Sequence, residues 1–253
     1  MADHVISGTN PVREALRAGR FVNRLYIAKE SHARDVNELL DLARERGVLF
    51  EFVPQAKLNE LAGTREHQGV AAAISPVEYV PLKQWLASCP TTATALVLDQ
   101  VQHPKNLGLL IRTAVGAGAS GVVLCARGGA LLDEAVLRSS AGALFHMPVV
   151  NCANLREALR QLRAADFWVY GLDAKGAENV FDVDWPDRCA LVIGNESDGL
   201  RPGVRKTCDA LVRIPLANQL DSLNAAVAAG IALFQIAAAR MRKAQRDSGQ
   251  YTL

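Results

Sequence analysis

Residues 95–124 read ALVLDQVQHPKNLGLLIRTAVGAGASGVVL. The stretch opens on a short apolar run, Ala95 to Leu98, and crosses a polar loop containing Pro104. It then runs as a helix from Asn106 to Ala117 and returns as an apolar strand, Gly121 to Leu124. Continuous apolar strands joined through a helix predict a parallel sheet covered on both faces.

The pattern repeats outward from this unit. Glu134 to Ser139 reads as a helix, Met147 to Val150 as a strand and Asn154 to Ala165 as a helix. Trp168 to Gly171, Leu191 to Ile193 and Leu211 to Ile214 read as further strands, before a long last helix, Asn224 to Arg242. In such sheets ligands sit beyond the C-terminal strand ends. Upstream, Thr9-Asn10-Pro11 looks like a cap followed by proline at the first helical position, with a helix Val12 to Ala18. Arg24 to Ala28 reads as a strand, Ala33 to Arg46 as an amphipathic helix stopped by Gly47, and Val48 to Val53 and Gln68 to Ile74 as strands. The expected organisation is a small N-terminal α/β domain over 1–76, a linker over 77–94 with one short helix around Leu82 to Ala87, and an α/β domain over 95–253. The linker region carries Pro76, Pro81 and Pro90 and is not Gly/Ser-rich, so restricted motion is expected.

Composition narrows the class. The chain has 253 residues, 50% hydrophobic and 21% charged, with a formal net charge of +2. No uninterrupted apolar run reaches the roughly 18 residues of a membrane span, and Met1 to Asn10 lacks a basic-then-apolar leader, so a cytoplasmic protein is expected. Cys89, Cys125, Cys152, Cys189 and Cys208 are odd in number, widely spaced and free of CxxC, which argues against a disulfide framework or a zinc ribbon. The histidines form no pair at metal-ligand spacing. The modest charge is not that of a dedicated nucleic-acid binder. One cluster, Arg240, Arg242, Lys243 and Arg246, fits either an RNA contact or a helix end whose cations complement its dipole.

Several familiar signals are absent or misplaced. Gly116 to Gly121 spells GxGxxG, but a helix precedes it and a strand follows, the reverse of a dinucleotide fingerprint. There is no GxxxxGK[ST] and no GxSxG.

Three segments remain, each of which also has a plain structural explanation. In Asp99 to Arg112 (DQVQHPKNLGLLIR), Asn106 is expected to cap the helix, Gly108 permits close backbone approach, and Arg112 lies further along. In Leu191 to Leu200 (LVIGNESDGL), a buried strand runs into Gly194, Asn195 and Glu196, which puts backbone groups and a carboxylate on the ligand side of the sheet. In Ile214 to Phe234 (IPLANQLDSLNAAVAAGIALF), a strand ends at Ile214-Pro215, a loop carries Asn218 and Gln219, and Ser222 and Asn224 open an Ala-rich helix suited to close packing or a subunit interface.

Together these segments resemble the three motifs of the SpoU (TrmH-type) RNA ribose methyltransferases: Asn106, Gly108 and Arg112; Gly194, Asn195 and Glu196; Ile214, Pro215, Ser222, Leu223 and Asn224. The resemblance covers about residues 95–245. A weaker one, in Ile6 to Leu16 and His67 to Ala73, links the N-terminal part to the substrate-binding domain of bacterial members that modify a guanosine in large-subunit ribosomal RNA, a domain similar in fold to certain ribosomal proteins. Arg138 to Pro148 is also like the family.

The resemblance implies a C-terminal parallel-sheet domain with a trefoil knot, a homodimer, S-adenosylmethionine as cofactor, ribosomal RNA as partner and no metal. It implies cofactor binding at Gly194, Asn195, Ile214 and Leu223. Asn106, Glu196, Ser222 and Asn224 are implied to shape the pocket and place the ribose. Arg112 is expected at the reacting hydroxyl and adjacent phosphate, facing a pocket of the partner subunit. Arginine is a costly base: neutralising one at pH 7 from its ordinary range of about 12.5–13.8 takes roughly 7–9 kcal/mol. Clamping phosphate and stabilising an oxyanion suits its chemistry better. The expected activity is 2′-O-methylation of a guanosine ribose in 23S ribosomal RNA. Alternatives are the same chemistry on transfer RNA, methylation of a base nitrogen, and a non-catalytic RNA-binding protein on the same fold.

Overall fold

A computed structural model of the chain describes residues 4–18, 22–29, 34–46, 48–74, 79–125, 132, 134–218 and 220–247. Gly47 and Gln219 lie outside the described residues. In chain order the elements are β1 (His4–Ser7), α1 (Thr9–Ala18), β2 (Val22–Ala28), α2 (Arg34–Glu45), β3 (Leu49–Val53), α3 (Gln55–Ala62) and β4 (Val70–Ile74). There follow β5 (Tyr79–Val80), α4 (Leu82–Ser88), β6 (Ala93–Leu98), α5 (Pro104–Gly116), β7 (Gly121–Cys125), α6 (Glu134–Ser139), a 3-10 turn (Ala143–His146), β8 (Val149–Cys152) and α7 (Leu155–Ala164). Last come β9 (Trp168–Leu172), β10 (Glu178–Asn179), β11 (Arg188–Ile193), α8 (Pro202–Arg205), β12 (Ala210–Arg213) and α9 (Ala225–Asp247).

The chain divides into two compact units, one of Met1–Glu78 with Leu131–His146, the other of Tyr79–Ala130 with Met147–Leu253. The first holds a four-stranded sheet of order β1-β4-β2-β3, in which only β2 and β3 run parallel. Burial of Leu58 and Ala62 on α3 with Ala28, Val53 and Ala71 builds one of its apolar faces. Within this unit α6 packs on β1, and the 3-10 turn packs on α1, where His146 meets the Glu14 carboxylate. Gly142 is obligatory there: its φ is +83°, and a Cβ would lie 2.2 Å from the Glu14 Cβ. Residues 131–146, read from sequence as part of the large domain, thus belong by contact to the small unit.

The second unit is an eight-stranded sheet of order β10-β12-β9-β11-β6-β7-β8-β5, with every pair parallel. Its central strands are mostly apolar, and every residue of β6 is buried, Thr94 included. The stretch expected as a linker is built into this unit instead. β5 pairs with β8, and α4 buries Leu82 and Trp85 in the main core beside Val97, Val123 and Phe167. The Trp85 indole donates to the Ser120 carbonyl at 3.1 Å and leaves no room for a side chain at Gly121. Two of the prolines that suggested a linker, Pro81 and Pro90, instead bracket α4, with Pro81 as the residue before its first turn; Pro76 lies outside the described residues.

α9 packs along α5, where Gly230 lets Thr113 approach. By length and composition α9 is apolar enough to cross a membrane, yet Ala229, Ala232, Leu233 and Ile236 are buried in this unit. The basic cluster near its end has structural work: Arg240 donates to the Ala93 and Asp187 carbonyls at 2.9 Å, and Lys243 pairs with Asp187 at 2.8 Å. Arg240 and Lys243 therefore anchor α9 to the entry ends of β6 and β11, which removes them as evidence for an RNA contact.

Candidate active site

The chain turns sharply where β11 ends. Gly194 is buried, and a Cβ there would stand 2.1 Å from the Gly199 carbonyl carbon, so glycine alone lets the loop fold back on itself. Asn195 and Gly199 exchange both backbone hydrogen bonds at 3.0 Å. The Asn195 side chain accepts from the Ser197 amide at 2.9 Å and donates to the Gln100 carbonyl at 2.9 Å. Gln100 reaches that position through a positive φ of 61°. A second fastening comes from Asp99, fully buried at the end of β6, whose two oxygens take the Arg201 amide (2.9 Å) and Nε (2.7 Å).

Glu196 is thereby held against the start of α5. Its Oε1 accepts from Asn106 Nδ2 at 3.0 Å and from the His103 amide at 3.3 Å, and its Oε2 accepts from the Gln102 amide at 3.4 Å. Burial works to raise the Glu196 carboxyl, but these hydrogen bonds, Asn106's foremost, outweigh it and hold the group below the usual glutamate range, ionised at neutral pH. Asn106 Oδ1 in turn accepts from Asn224 Nδ2 at 3.3 Å. Asn224 caps α9, its Oδ1 accepting from the Ala226 amide at 2.9 Å. Asn106 itself does not cap α5. The helix starts at Pro104, whose fixed φ and missing N–H suit that position, with His103 before it, and this frees the Asn106 side chain to bridge two other segments.

Beside this chain of side chains lies a cavity of about 600 Å³ at the C-terminal strand ends. Gly194, Asn195, Glu196, Ile214, Ser222 and Leu223 line it. Asn106 and Asn224 do not line it: Asn106 is bonded to Glu196 in its wall, and Asn224 stands between Leu223 and Ala225, which do line it. Arg112 is exposed on α5 and does not line it. The sequence reading missed part of the wall: Leu172 to Lys175 after β9, Arg205 and Leu216. The signal for the first of these was present, because Leu172 ends an apolar parallel strand. Asp173 pairs with Arg205 at 2.8 Å. Burial pushes the Asp173 carboxyl up, but the hydrogen bond from Arg205, helped by the Lys175 amide, leaves it below its usual range.

Such a site suits S-adenosylmethionine. The volume is that of a small-molecule pocket, the walls pair apolar side chains with backbone groups of Gly194 and Ile214, and carboxylates stand near to meet a cation. Among the described residues no group of three or more His, Cys, Asp or Glu is placed to hold a metal ion.

Comparison with known proteins agrees. Residues 93–234 match the SpoU rRNA Methylase family, and residues 5–80 match the family described as RNA 2'-O ribose methyltransferase substrate binding. A Staphylococcus haemolyticus protein named as a TrmH family tRNA/rRNA methyltransferase is 34% identical over 239 residues, 93% of this chain and 96% of that one. The SpoU methyltransferase AviRb from Streptomyces viridochromogenes, in complex with AdoMet, is similar with a TM-score of 0.80 at 27% identity, covering 94% of this chain and 90% of that one. An AdoMet-bound rRNA methyltransferase from Sinorhizobium meliloti has a TM-score of 0.78 at 29% identity, over 95% and 87%. The chain belongs to the SpoU (TrmH-type) family of S-adenosylmethionine-dependent RNA methyltransferases.

Proposed function

We propose that this enzyme methylates the 2′-hydroxyl of a guanosine in large-subunit ribosomal RNA, in the cytoplasm, as a homodimer whose C-terminal chain is threaded as a trefoil knot. The observation that carries the reading is the hydrogen-bonded chain Glu196–Asn106–Asn224, which joins three separate segments at one cavity. The match of residues 93–234 to the SpoU rRNA Methylase family supports ribosomal RNA, and the match of residues 5–80 to an RNA 2'-O ribose methyltransferase substrate-binding family supports the ribose as the methylated group. The names of relatives cover both RNA classes, so transfer RNA is the second reading.

In this mechanism the backbone at Gly194, Asn195, Ile214 and Leu223 holds the cofactor. Bound S-adenosylmethionine supplies a methyl already activated by its positive sulfur. Ionised Glu196 fixes the Asn106 amide, Asn106 orients Asn224, and Asn224 with Ser222 places the ribose. Fixed geometry of this kind converts a bimolecular encounter into an effectively intramolecular one. Arg112 grips the phosphate next to the reacting hydroxyl and stabilises the oxygen as its proton leaves to a phosphate oxygen or water. It acts across the subunit boundary. Support for the dimer comes from Val227, Phe234 and Met241, which form an exposed apolar row along α9 at seven-residue spacing.

The test is transfer of labelled methyl from S-adenosylmethionine to unmodified ribosomal and transfer RNA, with nuclease digestion to locate it. Label in 2′-O-methylguanosine from large-subunit RNA is expected. Label confined to transfer RNA would overturn the substrate assignment. No label in either, with intact binding of S-adenosylhomocysteine, would favour a non-catalytic RNA binder.

A further inference from the structure

Positive charge is concentrated on α7 and α8. The stretches Leu155–Ala164 and Arg201–Lys206 carry Arg156, Arg160, Arg163, Arg201, Arg205 and Lys206, against the single carboxylate of Glu157. The whole chain has a net charge of only +2. The two helices pack together, with the Arg156 side chain lying over Gly203.

Three of these arginines are held alike. Nε of Arg163 meets Asp209 at 2.9 Å, Nε of Arg201 meets Asp99 at 2.7 Å, and Nε of Arg205 meets Asp173 at 2.8 Å. In every pair the aspartate is the inner partner: side-chain exposures are 51% against 12%, 42% against 0% and 42% against 17%. Nε of Arg201 and of Arg205 donates a hydrogen bond and Nε of Arg163 makes an ion pair, and among the described residues the terminal nitrogens of these three guanidiniums donate no hydrogen bond. A free arginine loses rotamer freedom on binding; one already gripped at Nε has lost most of it beforehand. Its outer fork is then set for bidentate contact with phosphate, the geometry in which arginine exceeds lysine.

We infer that this face is the track along which the phosphate backbone of the substrate RNA reaches the cofactor cavity, an inference that rests on the RNA substrate class of the proposed function. Arg205 stands in the cavity wall at one end of the track. Arg156, Arg160 and Arg163 carry it along α7 for about 10 Å, at 1.5 Å per residue. Exposed Asp166, just past α7, ends it. The surface reads backbone, not bases, and so positions RNA without specifying its sequence.

The experiment uses the full chain carrying Arg156→Gln, Arg163→Gln and Lys206→Gln together, none of which lines the cavity. Binding of a large-subunit ribosomal RNA fragment is measured across a salt series, alongside calorimetry with S-adenosylhomocysteine. The slope of log affinity against log salt is expected to become shallower by about 2–3, with cofactor affinity unchanged within about twofold. Lys206→Glu alone, at an exposed position, repeats the loss on a smaller scale if the triple variant folds poorly. Arg163→Lys, which keeps the charge, retains the slope. An unchanged slope and RNA affinity in both the triple variant and Lys206→Glu would overturn the track. A wild-type chain that shows the expected slopes but methylates no RNA would count against the proposed function alone.

Discussion

Replacing Gly194 with alanine tests the reasoning about the cavity at its tightest point. The new Cβ would stand 2.1 Å from the Gly199 carbonyl carbon and 2.4 Å from both the Gly199 oxygen and the Leu200 nitrogen. All three are backbone atoms, so no side chain can swing away. The loop must open by more than an ångström, and the paired Asn195–Gly199 bonds break with it. Two net hydrogen bonds at about 0.5–1.5 kcal/mol each, together with an overpacking cost of about 1–3 kcal/mol, put the loss at about 2–6 kcal/mol. Against a typical domain stability of about 5–15 kcal/mol the middle of that range leaves the protein folded. Its Tm falls by about 4–24 °C, taking about 2–4 °C per kcal/mol for a unit of this size. Affinity for S-adenosylhomocysteine falls by about 10-fold or more, since displacing the Gly194 backbone forfeits at least one hydrogen bond of about 1.4 kcal/mol to the cofactor. Thermal melts and isothermal titration calorimetry measure the two quantities. A variant melting within about 2 °C of wild type and binding within about twofold would refute the claim that this loop is closed against any side chain.

Other outcomes follow from the same geometry. Asp99→Asn loses its charge-assisted bonds to Arg201 and destabilises by about 1.5–3 kcal/mol, read in urea unfolding; because Arg201 is half exposed, the cost stays below that of stranding a fully buried charge. Glu196→Gln removes a carboxyl whose folded pKa lies below its ordinary 4.5. The stability it contributes is full above that ordinary value and lost as pH falls through the folded one, so the gap in Tm between wild type and variant is widest near pH 7 and closes in acid. Trp85→Ala empties a core position and costs about 3–5 kcal/mol, whereas a residue in a true linker would change melting by almost nothing. Phe234→Asp, on the exposed row of α9, converts a dimer to a monomer in analytical ultracentrifugation; an unshifted sedimentation coefficient would place the interface elsewhere.

The large sheet was legible because its strands are short apolar runs separated by helices with caps and stops. β5 and β10 were not: each is two residues long, below the length at which any periodicity shows. α3 was missed because only Leu58 and Ala62 of its eight residues are buried, too few to mark a face. The site divides in the same way. Gly194, Glu196, Ile214, Ser222 and Leu223 stand in motifs and do line the cavity. Leu172 to Lys175 line it where an apolar parallel strand ends, a signal the sequence carried, whereas Arg205 lines it through tertiary position alone. Asn106 was found for the wrong local reason, since its cap role is taken over by Pro104 and His103. The Asp99–Arg201 pair joins residues about a hundred positions apart, and no local pattern announces it.

The two ends of α9 have a consequence for the order in which the enzyme is made. Asn224 completes the hydrogen-bonded chain at the site, while Arg240 and Lys243 fix the helix at the opposite edge of the sheet, about 23 Å away at 1.5 Å per residue. Chains grow from the N-terminus, and early units fold while later ones are still being synthesised. The small unit and every strand can therefore be in place on the ribosome while the cavity still lacks the wall that Ser222, Leu223, Ala225 and Ala228 supply. Catalytic competence comes last, after residue 243 has left the exit tunnel, so a nascent chain can acquire its fold beside ribosomal RNA without yet being able to modify it.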